Sequence, residues 1–170
     1  MKVILYMATS INGFITKGED DSNWVSETDW AQFDKLARES KIIVMGRNTY
    51  YQFDDDFPVE GALNVVMTHD AELLKRSVED KSLFTDKSPE EVVKFASDKG
   101  FGQIMLIGGM TLNTAFMEVG LIDEIWLSVH PLFIGEGKTL TKQFETFKKI
   151  EFLGSTNLED GLVQLRYKFR

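Results

Sequence analysis

Cysteine is absent from this 170-residue sequence, and histidine occurs only twice, as His69 and His130. Without cysteine the chain has no disulfides, no thiolate nucleophile, no iron–sulfur cluster and no cysteine-ligated zinc. Two histidines are too few for a histidine-rich metal site. We therefore expect chemistry that depends neither on thiols nor on a metal ion.

Basic residues are also scarce, because 19 lysines and arginines stand against 27 acidic residues and the net charge is −8. Proteins that bind nucleic acid or anionic lipid usually carry a basic surplus, so we expect neither partner. The first apolar run, within residues 1–16, is interrupted by Ser10, Asn12 and Gly13 and has no small-residue cleavage site. We predict a cytoplasmic protein without a membrane span, whose partner is a small molecule.

The remaining composition is that of a folded domain, since 43% apolar residues are enough for one core. We expect a single domain over residues 1–170. Apolar, β-branched runs alternate with segments of helical periodicity, which is typical of strands joined by crossover helices in a largely parallel sheet. The predicted strands are residues 2–8, 42–45, 64–68, 82–85, 103–107 and 124–132.

Helices are predicted over residues 28–39, with Thr28 as N-cap, from Ser88 to a stop at Gly100, and over residues 111–119. Two further strand-like runs, 151–155 and 162–169, are joined by a segment ending in an Asp-Gly turn signal. The sequence therefore predicts an α/β fold with a mostly parallel sheet, helices on both faces and antiparallel C-terminal strands.

A pair of glycines, Gly108 and Gly109, follows one predicted strand and precedes a helix. Glycine allows a ligand to approach the backbone closely, and free N–H groups at a helix start favour phosphate. The pair is therefore either a pyrophosphate cradle or a tight turn that needs positive φ. It lacks the GxGxxG spacing, so it does not predict a Rossmann fold.

Two other strand ends carry polar residues, Gly46, Arg47 and Thr49 at one and Thr68 and His69 at the next. In parallel sheets ligands bind outside the carboxyl ends of strands, so we expect these residues at one edge with the glycine pair. Arginine can fork two phosphate oxygens, although a solvated arginine at a helix start is the alternative. A lone histidine is more often a surface residue. Together the strand ends predict an adenine dinucleotide.

Asp29 is predicted in the first turn of a helix whose apolar stripe includes Trp30 and Phe33. A first-turn acid is commonly only a partner of the helix dipole. If it faces the sheet instead, burial disfavours its charged form and allows it to hold or relay a proton near neutral pH. Glu27 competes for this role but is expected to face water, and Trp24 is expected in the core or a pocket wall.

In their order and spacing these motifs resemble dihydrofolate reductase, and more closely the reductase domain of riboflavin biosynthesis and its stand-alone relatives. The resemblance covers nearly the whole chain. It implies a three-layer dihydrofolate reductase-like fold, an NADPH-dependent reductase and, as in related domains, a homodimer to which Trp126 and Phe133 contribute. The matching segments are residues 8–15, 24–29, 45–49, 107–109 and 125–128.

The resemblance also implies cofactor contacts. Arg47 stands where the family selects the 2′-phosphate of NADPH, Ala8 where backbone contacts the nicotinamide amide, and Ile15 where a mobile loop begins. The family's glycine pair is joined by a cis peptide bond beside the pyrophosphate. The remaining cofactor positions are Gly46, Thr49, Thr68, His69, Gly108, Gly109, Met110 and Thr111.

By the same resemblance Asp29, five residues after Trp24, matches the catalytic acid. Ser128 replaces the threonine that hydrogen-bonds that acid and keeps the hydroxyl. Trp24, Phe33 and Asn113 are the implied substrate-binding residues, with Asn113 near a position that is aromatic in the family.

Departures from the family bear on the substrate. No lysine or arginine stands between Tyr50 and Asn64, where folate-using reductases place an arginine, and residues 18–30 carry five acids without a cation. We therefore expect a less anionic substrate, a small carbonyl or imine such as a pterin-like or pyrimidine-like heterocycle. The alternative is a dinucleotide-binding or redox-sensing module without turnover.

Overall fold

The computed structural model describes residues 1–53, 56–144 and 148–170. Within them, eight strands form one sheet in the order β4-β3-β2-β5-β1-β6-β8-β7. All neighbouring strands are parallel except β8, which is antiparallel to β6 and β7. The strands are β1 Lys2–Ser10, β2 Ile42–Gly46, β3 Leu63–Met67, β4 Ser82–Thr85, β5 Gln103–Leu106, β6 Glu124–His130, β7 Ile150–Asn157 and β8 Val163–Phe169.

Four α-helices are described, α1 Glu27–Ser40, α2 Arg47–Phe53, α3 Pro89–Asp98 and α4 Met110–Glu118. No helix of the described residues is long and apolar enough to cross a membrane. Apolar side chains lie on both faces of the sheet. Val3 and Leu5 belong to the cluster that includes Phe116 of α4, whereas Ile4 belongs to the cluster that includes Leu36 of α1. The alternation follows from the two-residue period of a strand and confirms the predicted three layers.

The helix that carries the candidate acid begins earlier than predicted. Its N-cap is Ser26, in extended conformation, and the Ser26 hydroxyl accepts a hydrogen bond from the backbone N–H of Asp29. The prediction that Thr28 is the cap is therefore wrong, since a cap hydroxyl must reach the second or third helical N–H. At α3 the predicted cap is confirmed, because Ser88 and Glu91 form a capping box.

Other boundaries also differ. Strand β6 ends at His130 rather than at residue 132, because Pro131 has no N–H to continue the ladder. Strand β1 runs two residues beyond its predicted end, since Thr9 and Ser10 pair with the last residues of β6. Helix α2 has only seven residues, too few for a helical period to be recognised in the sequence.

The expected homodimer involves Trp126 on β6 and Phe133, which follows that strand. Phe133 is 76% exposed, whereas the guanidinium of Arg166 covers the ring of Trp126 at 3.8 Å from its centroid. An exposed aromatic suits an interface, but the homodimer stays a prediction.

Two loops pack against each other beside the carboxyl end of β1. The Asn12 amide donates to the Ile134 carbonyl at 2.7 Å and accepts from the Ile134 N–H at 3.1 Å. Gly18 and Gly137 form a backbone bridge farther along the same pair of loops. This contact positions the loop that follows β1.

We predict that Gly137→Ala destabilises the protein and that Gly135→Ala does not. A Cβ at residue 137 would overlap the carbonyl oxygen of Thr16, which is backbone and cannot rotate away, whereas nothing lies within 4 Å of a Cβ at residue 135. We expect a loss of about 1–3 kcal/mol in unfolding free energy for the first variant, measured by urea unfolding. Equal stability of the two variants would contradict this packing of the loops.

Candidate active site

A cleft of about 1310 Å³ opens at the carboxyl ends of the parallel strands. Ala8, Gly46, Thr68 and Ile107, from four different strand ends, lie in its wall. This is the edge at which open parallel sheets bind ligands. The strand ends predicted to meet at one edge therefore do so.

Most of the residues predicted to bind a cofactor line this cleft, namely Ala8, Ile15, Gly46, Arg47, Thr49, Thr68, His69, Gly109, Met110 and Thr111. Gly108 does not line the cleft and makes the turn instead, with a φ of +91°. Its carbonyl accepts a hydrogen bond from the Gly46 N–H at 2.7 Å. The Gly108–Gly109 peptide bond is cis. The tight-turn interpretation therefore applies to Gly108, whereas Gly109 lies in the cleft wall and its contact with a pyrophosphate stays a prediction.

Arg47 begins α2 and is oriented by an acid that sequence reasoning missed. Its guanidinium lies 3.8 Å from the Asp70 carboxylate, and both side chains are partly exposed, so the pair itself is weak. The other Asp70 oxygen accepts from the backbone N–H groups of Glu72 and Leu73. Asp70 is therefore held by the backbone, and it places a carboxylate beside Arg47 at the end of β3. The only signal was its position beside Thr68 and His69.

Asp29 faces the sheet, as the second interpretation of this residue requires. It is 1% exposed, and the hydroxyl of Tyr6 on β1 donates a hydrogen bond to its Oδ1. Tyr6 and Asp29 both line the cleft. Glu27, as expected, is exposed to solvent.

Ser128 does not bond the acid directly. Its Oγ lies 3.5 Å from the hydroxyl of Tyr6, which stands between Ser128 and Asp29. The expected serine–acid contact is therefore corrected to a contact through a tyrosine. Tyr6 lies on β1, the strand next to β6, and its long side chain reaches the acid first. Sequence reasoning missed Tyr6 because it reads as one apolar position in a buried strand.

His130, the last residue of β6, joins that strand to the start of α1. Its Nε2 accepts from the backbone N–H of Ser26 at 3.2 Å, and its Nδ1 lies 3.2 Å from the Ser128 carbonyl. A backbone N–H can only donate, and a carbonyl can only accept, so these contacts assign the proton to Nδ1. Nε2 also lies 3.9 Å from Asp29 Oδ2. Trp24 packs edge-on against the imidazole, with ring centroids 5.1 Å apart.

The three implied substrate residues have different surroundings. Phe33 lines the cleft beside Trp30 and Phe53. Trp24 does not line the cleft and contacts His130 instead, whereas Trp30 lines the cleft. Asn113 is fully buried and donates to the Leu140 carbonyl at 2.9 Å. Asn113 therefore connects α4 to the segment between β6 and β7 rather than lining the cleft.

Burial, followed by the negative charge of Asp29 and the hydrogen bond to it, raises the pKa of Tyr6 well above its ordinary value. The hydroxyl therefore keeps its proton throughout the neutral range. In the unfolded chain a tyrosine ionises near pH 10.

We predict that this difference appears as an alkaline loss of stability. The folded state keeps the Tyr6 proton where the unfolded state loses it, so stability is complete below about pH 10 and falls by about 1.4 kcal/mol per pH unit above it. Urea unfolding of the wild type and Tyr6→Phe should show the difference in unfolding free energy shrinking above about pH 10. Tyr51→Phe is the control, since Tyr51 is 56% exposed. A difference that is constant with pH would refute the assignment.

Comparison with known proteins relates this fold to one family. Residues 1–164 match the family model of the RibD C-terminal domain. Over 98% of its length the chain is 27% identical to the uncharacterised protein YyaP of Bacillus subtilis (strain 168), of which it covers 94%. A Shewanella sp. PV-4 structure, described as a riboflavin biosynthesis protein, is 25% identical with a TM-score of 0.80, over 100% of this chain and 99% of that one.

A more distant structure adds a likeness of fold alone. It is the deaminase/5-amino-6-(5-phosphoribosylamino)uracil reductase of Thermotoga maritima, 12% identical with a TM-score of 0.79, over 99% of this chain and 56% of that chain. Since the family match spans nearly the whole sequence, the chain belongs to the RibD C-terminal domain family, a family of reductase type.

Proposed function

We propose that the protein is an NADPH-dependent reductase that delivers hydride to a small heterocyclic carbonyl or imine. The observation that carries the proposal is that a buried acid, Asp29, opens onto the same cleft as Arg47 and Gly109. A phosphate-binding edge and a proton-holding group thus share one cavity. A dinucleotide-binding module without turnover would not need a buried carboxyl beside its ligand.

The residues of the strand ends suit a dinucleotide. A Cβ at residue 109 would stand 3.5 Å from Thr49 Oγ1, so glycine keeps the space between these two cleft residues open. Arg47 and Thr49 offer phosphate donors, and Lys87 adds a second cation to the cleft wall. Bound NADPH would supply the hydride. Arg47 is the residue that would favour the 2′-phosphate.

The chain itself would position the substrate, limit access of water to it and hold a proton for it. Asp29 would carry the proton for the substrate atom that gains it, since a general acid must lie within reach of that atom. Ile15 and Thr16, from the loop beside β1, would limit access of water at the same point.

Charge in the remaining part of the cleft favours a substrate without phosphate. Asp20, Asp29 and Asp56 lie in the wall, and the nearby cation Lys138 is already 2.9 Å from Asp20 and 3.6 Å from Glu19. A substrate phosphate would add charge of the same sign there. A flat, neutral or cationic ring such as a pterin or an aminopyrimidine would pack against the cleft aromatics Trp30, Phe33 and Phe53.

We predict that Arg47→Ala weakens NADPH binding by about 10- to 100-fold, because a hydrogen-bonded ion pair with phosphate is lost. NADH affinity should change much less, since NADH lacks the 2′-phosphate. Titration followed by tryptophan quenching measures both constants. Arg170→Ala is the matched control, because Arg170 pairs with Glu151 at the β7 edge of the sheet. Equal losses for both nucleotides would remove Arg47 from 2′-phosphate recognition, and no binding of either nucleotide would end the proposal.

We predict that Asp29→Asn lowers kcat by about 100-fold or more while NADPH affinity stays nearly unchanged. The asparagine keeps the shape and the hydrogen bond from Tyr6 but cannot supply the proton. NADPH oxidation is followed with a dihydropterin and with a ribosylaminouracil offered with and without its 5′-phosphate. The exposed neighbour gives the control, Glu27→Gln. Unchanged turnover in Asp29→Asn would exclude the acid from the mechanism, and preference for the phosphorylated substrate would overturn the charge argument.

A further inference from the structure

We infer that Tyr6 is a positioning residue that assigns the two oxygens of Asp29 different roles. Its hydroxyl occupies Oδ1, which leaves Oδ2 as the oxygen that takes up and releases the proton. Ser128 then acts on the acid only through Tyr6. The inference rests on the proposed reductase function.

The Oδ1 side is closed. Tyr6 has a single hydroxyl proton, and its nearest acceptor is Oδ1 of Asp29, with the Asp29 carbonyl farther away at 3.2 Å. Both residues are almost completely buried, at 4% and 1% exposed, so water cannot replace the tyrosine as donor. The high proton affinity of Tyr6 keeps it a donor over the working pH range.

The Oδ2 side has no such donor among the described residues. Its nearest titratable neighbour is His130, whose Nε2 lies 3.9 Å away. That nitrogen accepts from the Ser26 N–H and so offers no proton to Oδ2. Among the residues that the structure describes, no hydrogen bond reaches Oδ2. The titratable groups that face Asp29 are therefore Tyr6 from β1 and His130 from β6, while Glu27 on its own helix is exposed.

The tyrosine oxygen in turn faces one donor, the hydroxyl of Ser128, whose Oγ lies 3.5 Å from it. Gln164 of β8 is opposite Ser128 in the sheet, but its Oε1 accepts two hydrogen bonds from Arg166 and its buried Nε2 has no partner among the described residues. A hydroxyl that accepts a hydrogen bond becomes a stronger donor, so the contact with Ser128 strengthens the bond from Tyr6 to Asp29.

The test is the pH dependence of kcat/KM with NADPH. The second substrate is whichever of the dihydropterin and the two ribosylaminouracils the wild type reduces fastest. If the acid delivers a proton, activity falls on the alkaline side as Asp29 ionises. Tyr6→Phe removes the donor that stabilises the ionised acid, so this descending limb should move to higher pH. Tyr167→Phe, which removes a hydroxyl from a tyrosine packed on Phe152, should leave the limb in place.

Ser128→Ala alone can be measured whether or not Tyr6→Phe is stable, and together with Tyr6→Phe it distinguishes a serine that acts through Tyr6 from a serine that contacts the acid itself. We expect a smaller shift of the limb in the same direction, and no further shift when the substitution is added to Tyr6→Phe. A Ser128→Ala shift that persists in the double variant would mean that serine contacts the acid itself and would overturn the inference. A uniform loss of rate in Tyr6→Phe, with an unmoved limb, would overturn it as well.

A second measurement separates this inference from the proposed function. If the wild type reduces nothing, the proposed function fails, but urea unfolding of Tyr6→Phe, Asp29→Asn and their double variant still measures the coupling of the two residues. We expect the coupling to be larger at pH values above the descending limb, where Asp29 is ionised, than below it. A coupling that is absent or independent of pH would show that Tyr6 does not stabilise the ionised acid.

Discussion

The arrangement of the rest of this site depends on the burial of one carboxyl group, that of Asp29. Removing a charged carboxylate from water is costly unless a donor meets it, and Tyr6 on the central strand β1 is that donor. The bond therefore ties α1 to β1 at the point where the cleft opens. Ser26 and His130 reinforce the same junction, since one caps the helix and the other ends the neighbouring strand. The acid and its helix are thus positioned by the sheet rather than by a loop.

The parallel sheet supplies the second constraint. Strands that run in the same direction end at the same edge, so residues far apart in the chain meet there without any local signal between them. Gly46, Thr68 and Gly109 line one cleft for this reason. The antiparallel strand β8 contributes differently. It pairs with β6 and places Gln164 near Tyr6, so it contacts the buried residues of the site and not the cleft surface.

Acidic side chains outnumber cations in the described wall of the cleft. Arg47 lies beside Asp70 and Lys138 beside Asp20, and Asp56 and Asp86 line the same cleft. A solved structure with a similar fold is that of a deaminase/5-amino-6-(5-phosphoribosylamino)uracil reductase. Since a fold does not determine its substrate, the side chains of the pocket would decide whether a substrate phosphate is accepted.

Much of this architecture was determined by the sequence alone. The strand runs, the glycine pair, the Ser88 cap and the order of the motifs predicted the sheet, the edge and the family, because periodicity and turn chemistry act over a few residues. Only the tertiary structure determined which side chains from different strands and helices contact each other. Tyr6 was one apolar position among many, and Ser128 was assigned to the wrong partner, because a contact between β1, β6 and α1 depends on side-chain length across strands. Both Trp24 and Trp30 were expected in the core or a pocket wall, and only the structure shows that Trp30 lines the cleft while Trp24 packs on His130, since the direction of a side chain relative to the cleft is set by packing and not by spacing along the chain.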